Sequence, residues 1–594
     1  MAEGFLHRYN EELSALRRRA SRFAEAFPKI ARRLRMTGEI ADDPHVERLI
    51  QSFAYSAARI RQKLDDEFPE LTSELLEVLY PHYLAPLPSM SIVRLSASTT
   101  LASVQTVPRH TEILAEPIAG ESCRFRTTQD VEIAPVRITT ASLSSQPISA
   151  PPSPFTGAAG CLRVSVRPCD DKMSFSQIGL RRLRLHLASQ WQVASALYEL
   201  LANHTIGIAL ARHADDEAPF FLPPENLRPV GFGQKESMLP YPSASFSGYQ
   251  LLTEFFALPQ KFLFLEIDGL ERWRDSTLEI FVYLDDTNAK LERSIDARDL
   301  ALHATPVVNL FRQACEPILL DGTRTEYRLL PDSRRQMTRE IYSVERVLLT
   351  RRDGGEEVCR PFFGRTMRDG GSAACFWQIQ RRFDADDGTS DVDIAFVDAA
   401  RHSAERLDAV ATVDALCLNR DLPEKLPFGG GHPHLQIASG HEAVATVETI
   451  TPPTPSLRMS GHEDRNWRLM SHLMLNHLSL FDNDGAALKD ILSLYVFRDA
   501  PETKQLVDAI THVEAHRSTA RIAEGGIVPG TEILLELDPA AIDRASAYLF
   551  GSVLDRFFGL YTSINSFTRL TVSLKGRSRP VATWPARAAE RPLL

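Results

Sequence analysis

The chain has 594 residues, enough for roughly three to five structural units rather than one small core. Its 67 Lys and Arg against 77 Asp and Glu leave a formal charge of −10, a balance that argues against a protein built to neutralise nucleic-acid phosphates. Hydrophobic residues at 44% exclude a collagenous or low-complexity chain, and seven cysteines with no CxxC spacing are unlike a secreted disulfide framework, so they are read as reduced thiols.

The N-terminus turns charged before an apolar stretch can form, and no run of about 18 uncharged apolar residues follows, so a soluble cytoplasmic protein is expected. Residues 1–88 read as an N-terminal helical segment. In its first helix Leu13, Leu16, Ala20, Phe23, Ala24 and Phe27 recur at steps of three and four, opposite Arg17, Arg18, Arg19 and Arg22. A second helix opens at Asp43 as N-cap with Pro44 at N1 and carries Val46, Leu49, Ile50, Phe53, Ala54, Ala57, Ile60 and Leu64 in one stripe. A third, Pro69 to Leu79, stops at the proline cluster Tyr80 to Pro88, which is read as a boundary and a possible flexible joint.

From about residue 90 the apolar period changes towards two, as in Ile92 to Leu95, Leu183 to Leu187, Phe262 to Leu265 and Ile280 to Leu284. Turn clusters such as Ala150 to Pro154, Arg368 to Gly371 and Gly429 to Pro433 divide this stretch into β-rich domains, placed at 89–270 and 271–455. The remainder, 456–594, reads as a C-terminal α+β domain. It has helices over Trp467 to Leu480, Leu488 to Tyr495 and Thr503 to Ile510, a long helix through Leu549, Val553, Phe557 and Tyr561, and a strand at Leu570 to Leu574. The fold class is therefore α+β and multidomain.

Motifs that carry chemistry are weak. Gly231-Phe232-Gly233 has Glu236 where a dinucleotide-binding loop needs its third glycine, and no phosphate-binding P-loop occurs. His432 and His434 follow three glycines and read as exposed loop imidazoles, while His472 and His477 are five apart, a poor spacing for chelation on a helix. Asp482 to Gly485 has its glycine too early for a calcium loop. No catalytic, cofactor or metal residue is assigned. The aromatic and polar run Leu239 to Phe256, which shows no period, suits either loops packed on a neighbouring chain or buried joints.

Several long segments closely resemble the TssF family, also called VasA or ImpG, of type VI secretion baseplate proteins. They include VGFGQKESMLPYPSASFSGYQ from residue 230, TPVVNLFRQACEPILL (305–320), EYRLLPDSRRQMTREIYSVERV (326–347), LCLNRDLPEKLPFG (416–429), WRLMSHLMLNHLSL (467–480) and YLFGSVLDRFFGLYTSINSFTRLTV (548–572). One departure is His110, in a turn where the family commonly has glycine, so a local difference is expected there.

The resemblance implies a structural subunit similar to contractile-tail wedge proteins. Two copies would wrap one TssG, join TssK and TssE, and assemble around the VgrG spike as the platform for tube and sheath, docked at the inner-membrane complex. No cofactor or nucleic acid is implied. On that analogy Leu13, Leu16, Phe23, Leu49, Phe53, Ala57 and Ile60 enter a helical bundle shared with TssG and a second copy of the chain. The competing readings are a tail-associated hydrolase using His462, Asp464 or His472, and a carbohydrate-binding protein displaying Trp273, Trp377 or Trp584.

Overall fold

The computed structural model describes residues 9, 13, 16, 29, 43–65, 75–77, 79–242, 245–321, 323–352, 354–362, 375–383, 390–398, 409–458, 485–497, 501–521, 527–562, 566–588 and 591–592. Two compact units divide the chain: Met1–Glu77 with Gly461–Leu473, and Val78–Ser460 with Met474–Leu594.

In the smaller unit, helix α1 spans Pro44–Asp65. Asp43 caps it as the sequence predicts, since its carboxylate accepts from the His45 amide at 2.9 Å and its carbonyl from the Glu47 amide at 3.0 Å. Tyr9, Leu13 and Leu16 are helical; Leu13 is buried and Leu16 half-buried. Phe23, the arginine face of the first helix and the predicted helix from Trp467 lie outside the described residues.

The larger unit is mostly antiparallel sheet. A closed six-stranded barrel takes its strands in the order Met90–Ala97, Ala304–Val308, Glu121–Thr127, Glu112–Ile118, Leu435–Ile437 and Val444–Thr449. Closure removes free edges, at the cost of pairing strands more than 300 residues apart. Beside it stand a five-stranded sheet centred on Leu278–Leu284 and a four-stranded sheet centred on Phe264–Asp268 and Arg182–Leu187. All seven residues of Leu278–Leu284 are buried, which is why this strand reads as a continuous apolar run rather than an alternating one. Its one carboxylate, Glu279, is held by Arg163 at 3.0 Å, Arg167 at 2.8 Å and Ser165 at 2.6 Å.

An eight-stranded sheet built on Glu340–Arg351 and Ala409–Leu418 encloses its own core of Val347, Leu349, Val413 and Cys417. At the C-terminal end, Ile527–Leu537 and Phe567–Leu574 run parallel, joined through helix Arg544–Tyr561 as a β-α-β crossover. That helix is capped by Asp543 and buries most of its circumference. Gly551 is needed where it meets the sheet, because a Cβ there would stand 2.5 Å from the Trp584 ring.

Two expectations change. The prolines of Tyr80 to Pro88 do end helical structure, but the segment is no loose joint. Pro81–Leu84 is one helical turn, Tyr83, Leu84 and Leu87 are buried, and Leu87 exchanges backbone hydrogen bonds with Leu457 at 2.7 and 2.9 Å. Residues Ser247–Ala257, in the run without period, form a helix rather than a loop. Apolar and aromatic side chains surround it on every side, so burial replaces amphipathicity.

Candidate interaction surface

Side chains on α1 part into two sets. Ala54 and Ala58, one turn apart, are fully buried, whereas Leu49 and Phe53, also one turn apart, are 70% and 65% exposed. Ala57 is half-buried, and nothing is described of the Ile60 side chain. The predicted stripe therefore splits lengthwise: Ala54 faces inward, whereas Leu49 and Phe53 face water. Leu75 is exposed as well, at 49%. Scattered exposed leucines are ordinary, but a Leu and Phe stacked on one helix face form the kind of apolar strip that a partner helix covers.

The root of the larger unit, where the chain leaves residue 79, is an aromatic cluster. Tyr249 stacks on Tyr495 at 5.5 Å and shares a 3.1 Å hydrogen bond with the Tyr561 hydroxyl. Tyr80 accepts from the Phe246 amide at 3.2 Å, and Ser245 donates to the Leu79 carbonyl at 2.5 Å. The run Leu239 to Phe256 thus anchors residues 79 and 80. Burial pushes the hydroxyls of Tyr241, Tyr249 and Tyr495 far above their usual range, so they remain neutral donors.

Several of the polar groups that the sequence singles out are engaged within the fold. Gly231 and Gly233 point their amides at a carboxylate of the same loop, Glu236, at 2.7 and 3.1 Å, which occupies the place a phosphate would take. Buried Lys261 and Glu254 pair with each other, and Glu254 also accepts from the amides of Met238 and Leu239 at 2.8 and 3.1 Å. Arg587, near the C-terminal end of the larger unit, is buried against Asp555 at 2.8 Å, in a setting where burial raises the carboxyl and the arginine pulls it back. A hollow of about 710 Å³ mixes Arg181, Arg182 and Arg272 with Glu132, Asp268 and Glu271, so it is not a field of one sign.

Trp273 is buried with its indole donating to the Thr277 carbonyl, Trp377 is half-buried, and Trp584 stacks on Tyr548 at 5.4 Å. None is the open platform that sugar binding needs. His462, Asp464 and His472 lie outside the described residues, as do His477 and Asp482 to Asp484. His432 and His434 are not a bare loop: Glu116, far off in sequence, accepts from His432 Nδ1 at 3.0 Å, a partner that no local spacing could reveal.

Comparison with known proteins agrees with this picture. A family model described as "Type VI secretion system, TssF" matches residues 1–591. The chain is 33% identical to type VI secretion system component TssF1 of Pseudomonas aeruginosa, over 99% of both proteins. Among solved structures, it is similar to a chain of the type VI TssK-TssF-TssG baseplate subcomplex, with a TM-score of 0.75 and 27% identity over 92% of this chain and 99% of that one. A chain of a type VI baseplate complex shares the fold, with a TM-score of 0.61 and 23% identity over 99% and 100%.

Proposed function

This chain belongs to the TssF family of the type VI secretion system, and on that premise we propose that it is a structural, non-enzymatic subunit of a baseplate wedge built with TssG and TssK. The observation that carries the proposal is the fold match along nearly the whole length of a chain solved within a TssK-TssF-TssG subcomplex. Physical features support the same role. Buried Lys261 and Arg587 are paired with Glu254 and Asp555, Trp273 is packed, and Leu49 and Phe53 on α1 face solvent.

In this reading Leu49 and Phe53, with Ala57 and Ile60 further along the helix and Leu13, Leu16 and Phe23 from the first one, enter a helical bundle with TssG and a second copy of the chain. TssE joins the wedge with TssK, the wedges surround the VgrG spike as the platform for sheath and tube, and the baseplate docks at the inner-membrane complex. No described helix is long and apolar enough to cross a membrane. The test is co-expression with the cognate TssG and TssK, capture through TssG, and native mass spectrometry. A complex with two copies of this chain per TssG is expected; a monomer that ignores TssG would overturn the reading.

A further inference from the structure

Glu116, His432 and His434 bring three ligand atoms within 4.8 Å of one another. Their backbone placement is fixed from both sides. On one edge, strand Glu112–Ile118 carries a register irregularity between Leu114 and Pro117 in its pairing with Glu121–Thr127; on the other, Glu116 continues the ladder with Leu435–Ile437, its amide donating to the His434 carbonyl at 3.0 Å. The histidine segment is closed by a tight turn: Gly429 and His432 exchange amide-to-carbonyl hydrogen bonds at 3.2 Å, with Gly429, Gly430 and Gly431 all at positive φ. His434 then leads straight into Leu435–Ile437, the shortest strand of the barrel.

We propose that Glu116, His432 and His434 form a divalent transition-metal site, filled by Zn²⁺, that ties the entrance of the barrel's shortest strand to its neighbour Glu112–Ile118. Two imidazoles and one carboxylate are borderline donors that favour first-row transition ions over Mg²⁺ or Ca²⁺. With metal–ligand bonds of roughly 2.0–2.2 Å, tetrahedral ligand atoms stand about 3.4 Å apart. His432 Nδ1 already lies 3.0 and 3.2 Å from the two Glu116 oxygens, so the ion replaces a shared proton there. The His434 ring, exposed and 4.3 Å from the His432 ring between centroids, has only to turn inward. Water completes the coordination.

The register shows which neighbour holds this strand. Leu435–Ile437 is joined to Glu112–Ile118 by three residue pairs, but to Val444–Thr449 by the single pair Leu435 and Val447. An ion bridging Glu116 to His432 and His434 ties the entrance of this strand to its better-paired neighbour.

The test uses the full-length chain, purified through an affinity tag free of histidine and stripped with a chelator. Titration with Co²⁺ alone is expected to give one equivalent with a tetrahedral visible absorption band that Zn²⁺ abolishes. His434→Ala, at an exposed position, and Glu116→Gln should each weaken the affinity roughly tenfold or more, with unchanged circular dichroism showing that both remain folded. Hydrogen exchange at Leu435–Ile437 should slow on adding Zn²⁺ to the unsubstituted chain and not to the variants. Absence of the band, or the same titration in both variants, overturns the site. Binding without slowed exchange overturns the tying role.

Discussion

In the larger unit, groups that are costly to bury are buried and paired; on helix α1, groups that are favourable to bury stand in water. Lys261 and Glu254 are both almost wholly enclosed, as are Arg587 and Asp555, yet each finds its opposite charge. Leu49 and Phe53 stand 70% and 65% exposed. Lys261 and Arg587 find their counter-ions inside the fold, whereas α1 carries two large apolar side chains at its surface, the feature on which the proposed bundle rests. Interfaces of permanent complexes resemble a domain core cut in half, and α1 has that character.

The strongest way to break this contrast is to damage the self-sufficient side. Lys261→Met leaves Glu254 buried without its cation and should cost about 3–5 kcal/mol, read from chemical denaturation. Adding Glu254→Gln should recover part of the loss, because the amide oxygen still accepts from Met238 and Leu239. A loss under about 1 kcal/mol in the single variant would mean that the pair is not sealed from water.

Acid attacks the same side more gently. Burial holds His186 down to about 4, and it holds His303 there too, opposed by a hydrogen bond to the Leu95 backbone and aided by a lesser repulsion from Arg94. His303 Nε2 accepts from the Ala134 amide at 3.1 Å, which only a neutral ring can do. An unfolded histidine titrates near 6.5, so between about 6.5 and 4 the unfolded chain binds more protons than the folded one. Stability is therefore full above about pH 6.5 and falls as the pH drops towards 4, by on the order of 3 kcal/mol for His186 alone. Melting temperatures across this range should flatten in His186→Gln with His303→Gln. An unchanged slope in that double variant would assign the acid sensitivity elsewhere.

A smaller effect concerns a backbone strain. His110 sits at φ 67°, in the left-handed region that favours glycine, and its side chain is exposed. His110→Gly should raise stability by about 1 kcal/mol in a denaturation midpoint, since little packing is lost and the left-handed strain is relieved. A decrease would show that the imidazole does more than tolerate its place.

Periodicity made much of this legible. It located α1 with its cap, the Arg544–Tyr561 helix and the Leu278–Leu284 strand, because each has a one-sided stripe, a run of helical steps or an unbroken apolar stretch. Ser247–Ala257 escaped because a helix buried all round has no polar face to give it a period. Long-range pairing escaped for another reason. Nothing in Met90–Ala97 says that its neighbours are Ala304–Val308 and Val444–Thr449, and nothing near His432 points to Glu116. The stripe on α1 was readable, but its division was not, since Ala54 and Phe53 are adjacent in sequence and differ only in what the tertiary structure places beside them.

That division supplies the sharpest experiment, although its effect on the fold is the smallest. Leu49→Ser with Phe53→Ser changes side chains that already meet water, so the unfolding free energy should stay within about 0.5 kcal/mol of the unsubstituted chain. Capture by TssG should nevertheless be lost, because truncating two large apolar residues at the centre of a helix-in-groove contact removes the anchors on which such contacts depend. Ala54→Leu is the counterpart: it overpacks the buried face and should lower stability first, with any loss of capture following from that. If the serine variant is captured undiminished, the exposed strip is not where the assembly closes. If it unfolds, Leu49 and Phe53 contribute to the chain's own core and the two faces of α1 are not distinct.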